Sequence, residues 1–181
     1  MFTTIVITQP VAIADEGRLI SKLLMRGDVD LVHIRKPEMG LQDTEKVILS
    51  VPEELHSRLV LHDHFALAER YGLYGVHLNS RNPTPPASWG GSVSRSCHSM
   101  TETAQCKDRY DYVSLSPIFD SISKNGYMAA FTHNDISEAA ASGIIDHKVF
   151  ALGGVTFDRL DEVRAMGFGG AMILGDAWKR L

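Results

Sequence analysis

Eight short runs of β-branched and aliphatic residues, most of them followed by a stretch with helical spacing, recur along the whole 181-residue chain. The runs fall at residues 4–7, 31–34, 59–61, 75–78, 92–96, 112–115, 149–151 and 170–173. Most are apolar throughout rather than alternating. That is the pattern of strands covered on both faces, so a parallel sheet wrapped by helices is expected. Between the runs, residues 15–26 place Leu19, Ile20, Leu23 and Leu24 on one helical stripe, and 41–50, 65–71, 101–107, 134–141 and 157–166 read likewise. Ser99 or Thr101 would cap the helix at 101–107, and Asn134 or Asp135 the one at 134–141.

Eight such units leave a closed barrel or a doubly wound open sheet. An open dinucleotide-binding sheet would carry its glycine-rich turn after the first strand. Here that turn is Thr8-Gln9-Pro10, and the glycine signals come late. The expected fold is therefore α/β, a compact (β/α)8 TIM barrel, forming a single domain over residues 1–181. The three prolines of residues 82–91 would replace the fourth helix by a loop. Only GDAWKRL follows the last strand, so the final helix is expected to be short.

A formal net charge of −4 argues against a nucleic-acid partner. The apolar fraction of 44% and charged fraction of 22% are those of a soluble globular chain. No apolar run approaches the roughly 18–20 residues of a membrane span, and no signal-peptide pattern opens the chain. Cys97 and Cys106 form neither a disulfide framework nor a zinc spacing, so a cytoplasmic setting is expected.

In a barrel, chemistry collects where strands end and βα loops begin. That rule selects His33, Arg35 and Lys36, then His62, Asp63 and His64, then His77, Asn79 and Asn82. Farther on it selects Ser96 and His98, then Ser116, Ser121, Ser123 and Lys124, and finally Gly153, Gly154 and Gly175. Five of eight histidines are thereby expected on one rim. Gly153-Gly154 would let backbone N–H groups approach a phosphate, and Gly175 would open the short last helix beside it. Arg35 suits a carboxylate or phosphate. On strand alternation His98 shares a side with Ser96 and could exchange a proton near neutral pH, whereas Arg95 would face the helices without evident purpose. His62-Asp63-His64, completed by His33 or His77, leaves a zinc hydrolase open. Trp89 and Trp178 read as packing residues, and residues 121–130 as a mobile lid.

VHIRKP, LVLHDHFALAERYGLYGVHLN, SRSCHS, YVSLSPIFDSISK, VFALGGV and GAMILG together resemble the thiamine phosphate synthase/TenI superfamily, in order over nearly the whole chain. The resemblance implies the same barrel and one of two activities on a thiazole phosphate. One is a magnesium-dependent condensation with a pyrimidine diphosphate that releases pyrophosphate. The other is a metal-free tautomerisation of a thiazole carboxylate phosphate. For the synthase, the family's second metal-binding Asp falls on Asn82, its Asn-Asp pair on His62-Asp63, and its spaced lysine on Pro37, with Lys36 displaced by one. Magnesium would then rest on Asp63 and Asn82, and an amide is the weaker ligand. The tautomerase pattern is better met. There, with no cofactor, His98 would move the proton and Arg35 would hold the carboxylate. His33, Lys36, Ser96, Ser121, Ser123, Lys124, Gly153, Gly154 and Gly175 would bind substrate and phosphate in either case. The expectation is thus a tautomerase, with the synthase or a non-catalytic ligand-binding paralogue as alternatives. A homo-oligomer remains open.

Overall fold

The computed structural model describes residues 1–120 and 129–181. Eight parallel strands close into a barrel in sequential order. They are β1 (Thr3–Ile7), β2 (Leu31–Ile34), β3 (Leu59–Leu61), β4 (Gly75–Leu78), β5 (Ser92–Cys97), β6 (Tyr112–Leu115), β7 (Val149–Leu152) and β8 (Gly170–Ile173). The barrel closes by pairing β8 with β1, where Thr4 meets Ala171 and Ile5 meets Met172. The helices are α1 (Glu16–Met25), α2 (Leu41–Leu49), α3 (Ala66–Arg70), α4 (Met100–Cys106), α5 (His133–Ala141), α6 (Leu160–Ala165) and α7 (Gly175–Lys179). No helix lies between β4 and β5, as the prolines required, and α7 is short. None of the described helices is long and apolar enough to cross a membrane.

Side chains alternate across each strand and build two apolar layers. Outward residues such as Val6, Val32, Leu61, Val76, Val113 and Ala151 join Leu23, Ile48 and Val163 of the helices in the main core. Inward residues Ile5, Ile7, Leu31, Val60, Tyr112, Phe150 and Met172 fill the barrel itself. Of the two caps expected for α4, Ser99 is the one used, accepting from the Glu102 N–H, whereas the start of α5 differs from expectation. Thr132 caps α5 in a reciprocal box with Asp135, because neither Asn134 nor Asp135 itself stands outside the helix. The stretch 157–166 opens as a 3₁₀ turn, Phe157–Arg159, before α6 begins.

Candidate active site

The strand ends open into a cavity of about 560 Å³, a size suited to a small organic ligand. Its two halves differ. Ile7, Leu152, Met172 and Leu174 make an apolar wall from β1, β7 and β8. His62, His77, Ser96, His98 and Ser116 make a polar wall from β3 to β6. A flat ring with polar substituents matches such a slot.

The polar wall rests on a hydrogen-bonded network inside the barrel. His33 Nδ1 lies 2.9 Å from His62 Nε2, and His33 Nε2 lies 2.7 Å from the Tyr112 hydroxyl. His77 is held between Ser94 and Ser96, each hydroxyl 2.8 Å from a ring nitrogen. Burial pushes all three imidazoles down. His33 and His62 fall well below the ordinary histidine range, each also repelled by His77, and His77 falls to about 3. The three rings are therefore neutral at pH 7. Their nearest nitrogens all lie within 4.8 Å of one another, which raises the question of a metal. The His62 and His77 rings, however, are stacked at 24° with centroids 4.3 Å apart. Their in-plane lone pairs run nearly parallel instead of meeting at a point about 2 Å from each nitrogen. His33 and His62 form a hydrogen-bonded pair, His77 is held by two serines and stacks on His62, and a zinc hydrolase finds no support in this arrangement. His64 does not join it. At φ 55° it turns away and its Nε2 donates to the Met39 carbonyl, so of the five expected rim histidines only His62, His77 and His98 line the cavity.

Strand parity separates Arg35 from Lys36. His33 points inward, so Arg35 does as well, and the Arg35 N–H is fixed by donation to the Thr8 hydroxyl at 2.9 Å. Lys36 points the other way and is only 1% exposed. Its ammonium donates to Glu16 at 2.6 Å and to the carbonyls of Gln9 and Val11. The expected substrate-binding role of Lys36 is thus corrected, because its charge holds the β1–α1 loop. His33 likewise lies beneath the cavity instead of on its wall. Asp63 and Asn82 do meet, with the Asn82 amide donating to Asp63 Oδ1 at 2.8 Å. Both sit behind Arg81, which lines the cavity.

At the opposite end, Gly153 (φ 92°) and Gly154 (φ 65°) curl under the β6 loop. A Cβ on Gly153 would come within 2.7 Å of Pro117 Cα, and one on Gly154 within 2.4 Å of the Asp120 carbonyl oxygen. Both conformation and close approach therefore demand glycine. Among the described residues no carbonyl takes the N–H groups of Gly153, Gly154 or Gly175. Asp176, nominally hostile to an anion here, is turned to the Phe157 N–H and the Arg180 guanidinium. Across the mouth, the Ser116 hydroxyl lies 3.2 Å from His98 Nδ1, while the His98 N–H donates to Glu102. Glu102 also pairs with Arg95, whose guanidinium reaches Tyr110; strand parity starts Arg95 toward the helices, but its long side chain and Glu102 both reach the cavity wall. Ser121, Ser123, Lys124 and most of the expected lid at 121–130 lie outside the described residues. Arg81 was not anticipated; its signal was a cation between Asn79 and Asn82 at a strand-four loop.

Residues 4–175 match the family model described as thiamine monophosphate synthase. The thiamine-phosphate synthase of Salinibacter ruber is 24% identical over 166 residues, covering 86% of this chain and 71% of that protein. That of Photorhabdus laumondii is 25% identical over 171 residues, covering 90% and 78%. Among solved structures, thiamine phosphate pyrophosphorylase from Bacteroides thetaiotaomicron superposes with a TM-score of 0.88 at 42% identity, covering 99% of this chain and 86% of that one. Its Pyrococcus furiosus counterpart, at 17% identity and a TM-score of 0.74, shares the fold over 98% of this chain and 91% of its own.

Proposed function

The chain belongs to the thiamine monophosphate synthase family, and from this we propose that it is an enzyme of the synthase type, joining a pyrimidine diphosphate to a thiazole phosphate. The expectation of a tautomerase gains nothing from the relatives, since those compared are named for the synthase. In the condensation, the bond from the pyrimidine methylene carbon to the diphosphate oxygen breaks and its electron pair leaves with the diphosphate. The thiazole nitrogen supplies the pair for the new carbon–nitrogen bond.

The observation that carries this reading is a cavity with an anion-binding feature at each end. Gly153, Gly154 and Gly175 offer backbone N–H groups at one, and Arg35 with Arg81 offers guanidinium charge at the other. The thiazole phosphate belongs at the glycine end, with its ring on Ile7, Leu152, Met172 and Leu174. The leaving diphosphate belongs at the arginines, where preorganised donors lower the barrier as charge develops.

Magnesium fits this site poorly. Both Asp63 oxygens accept from Arg81, and Asn82 turns N–H, not oxygen, toward them. A divalent ion wants several oxygen ligands in near-octahedral array and no cation beside them.

A second reading keeps one observation in its favour. His98 and Ser116 face the cavity as a hydrogen-bonded pair, which suits a metal-free proton shift on a thiazole carboxylate phosphate. Incubation with both synthase substrates, with product analysed for thiamine phosphate, tests the primary reading. Isomerisation of the thiazole carboxylate phosphate without thiamine phosphate formation would reverse the order of the two.

A further inference from the structure

Asp63 is 14% exposed in its side chain and Arg81 42%, so the cation lies between the carboxylate and the cavity. Arg81 Nη2 donates to both Asp63 oxygens at 3.1 and 3.3 Å, and Nε donates to Oδ1 at 3.2 Å. Among the described residues, nothing accepts from Nη1. The loop that carries Arg81 is clamped: the N–H groups of Arg81 and Asn82 both donate to Asn79 Oδ1, and Asn79 Nδ2 donates to the His62 carbonyl.

Arg35 stands on the same wall, and no acceptor among the described residues takes its guanidinium. Its pKa is lowered by burial first and by Arg81 next, and Asp63 only partly offsets this. Among the described residues, two guanidiniums thus share one carboxylate, leaving one positive charge uncompensated, while the other cavity charges are matched, Arg95 by Glu102 and Asp176 by Arg180.

We propose that Arg81 stands in for the divalent cation. Its guanidinium, with that of Arg35, is the counter-charge for the diphosphate, and the site binds diphosphate without metal. Planar guanidiniums donate to phosphate oxygens in pairs and keep their charge at any physiological pH. Asp63 then serves as a positioning residue that aims Arg81.

The inference rests on the synthase reading, and the test separates the two. Inorganic pyrophosphate is titrated into the protein by calorimetry, in EDTA and in excess Mg²⁺. The dissociation constant in EDTA is expected within about threefold of that in Mg²⁺, and Arg81→Ala should weaken it at least tenfold in EDTA. The double variant Arg81→Ser/Asn82→Asp, checked for fold by circular dichroism, should bind only with Mg²⁺. Wild-type binding that needs Mg²⁺, or Arg81→Ala binding as well as wild type in EDTA, overturns the proposal. Condensation of the two substrates is assayed alongside. Thiamine phosphate formed in EDTA supports both readings. Thiamine phosphate formed only with Mg²⁺ overturns the role of Arg81 and leaves the synthase standing. Metal-free, Arg81-dependent pyrophosphate binding with no condensation under either condition overturns the synthase and leaves the anion site.

Discussion

Acid should unfold this protein through three histidines before its carboxylates respond. His33, His62 and His77 are 0%, 5% and 1% exposed, and burial holds each below its ordinary value, His77 at about 3. In the unfolded chain each titrates near 6.5. Below that pH the unfolded state binds more protons than the native one, so stability is full above about pH 7 and is lost as pH falls through 6.5. At pH 5.5 each group that stays neutral in the fold costs about 1.4 kcal/mol, and three together about 4 kcal/mol. That is a large part of a typical domain's stability. Urea unfolding followed by circular dichroism at pH 7.5, 6.5 and 5.5 measures it, since carboxylates hardly titrate in that window apart from Glu16, whose pKa burial raises and whose Lys36-paired site the Glu16→Met/Lys36→Met background removes. The limiting slope should approach three protons, and His77→Asn should remove one of them whatever it does to absolute stability. A flat profile from pH 7.5 to 5.5, or imidazole resonances of these three residues that titrate near 6.5 in the native protein, would refute the neutral network.

Gly154→Ala forces a side chain into φ 65° and against the Asp120 carbonyl; it should cost upwards of 1 kcal/mol by thermal melting and raise the KM for thiazole phosphate more than that for the pyrimidine diphosphate. A loss of less than about 0.5 kcal/mol would mean the turn relaxes freely. Lys36→Met strands the buried Glu16 carboxylate and should cost about 3–5 kcal/mol, while Glu16→Met/Lys36→Met should recover most of it in the same unfolding assay. Thr132→Ala removes the α5 cap and should lower stability by about 1 kcal/mol without altering pyrophosphate affinity.

Most of the strands were legible because a fully covered parallel strand leaves a largely apolar run, and the helices because their stripes repeat every three to four residues. The proline run at 82–91 forbade a helix whatever its neighbours did, and Gly153-Gly154 declared a turn that only glycine can make. Those features are local, and local sterics decide them. Strand parity was also in the sequence, and it would have sent Arg35 inward and Lys36 outward. What parity could not supply was the destination of Lys36, since the Gln9 and Val11 carbonyls and Glu16 reach it only once β1 and β2 are paired. The same holds for His64, whose backbone leaves the strand, and for the neutral histidines, whose state depends on burial that the closed barrel alone creates. Arg81 is the sharpest case. Its sequence position is that of an ordinary loop arginine; only the meeting of the β3 and β4 ends sets it in front of Asp63, because electrostatic partnership is a matter of distance in space and burial, and neither is written in the order of residues.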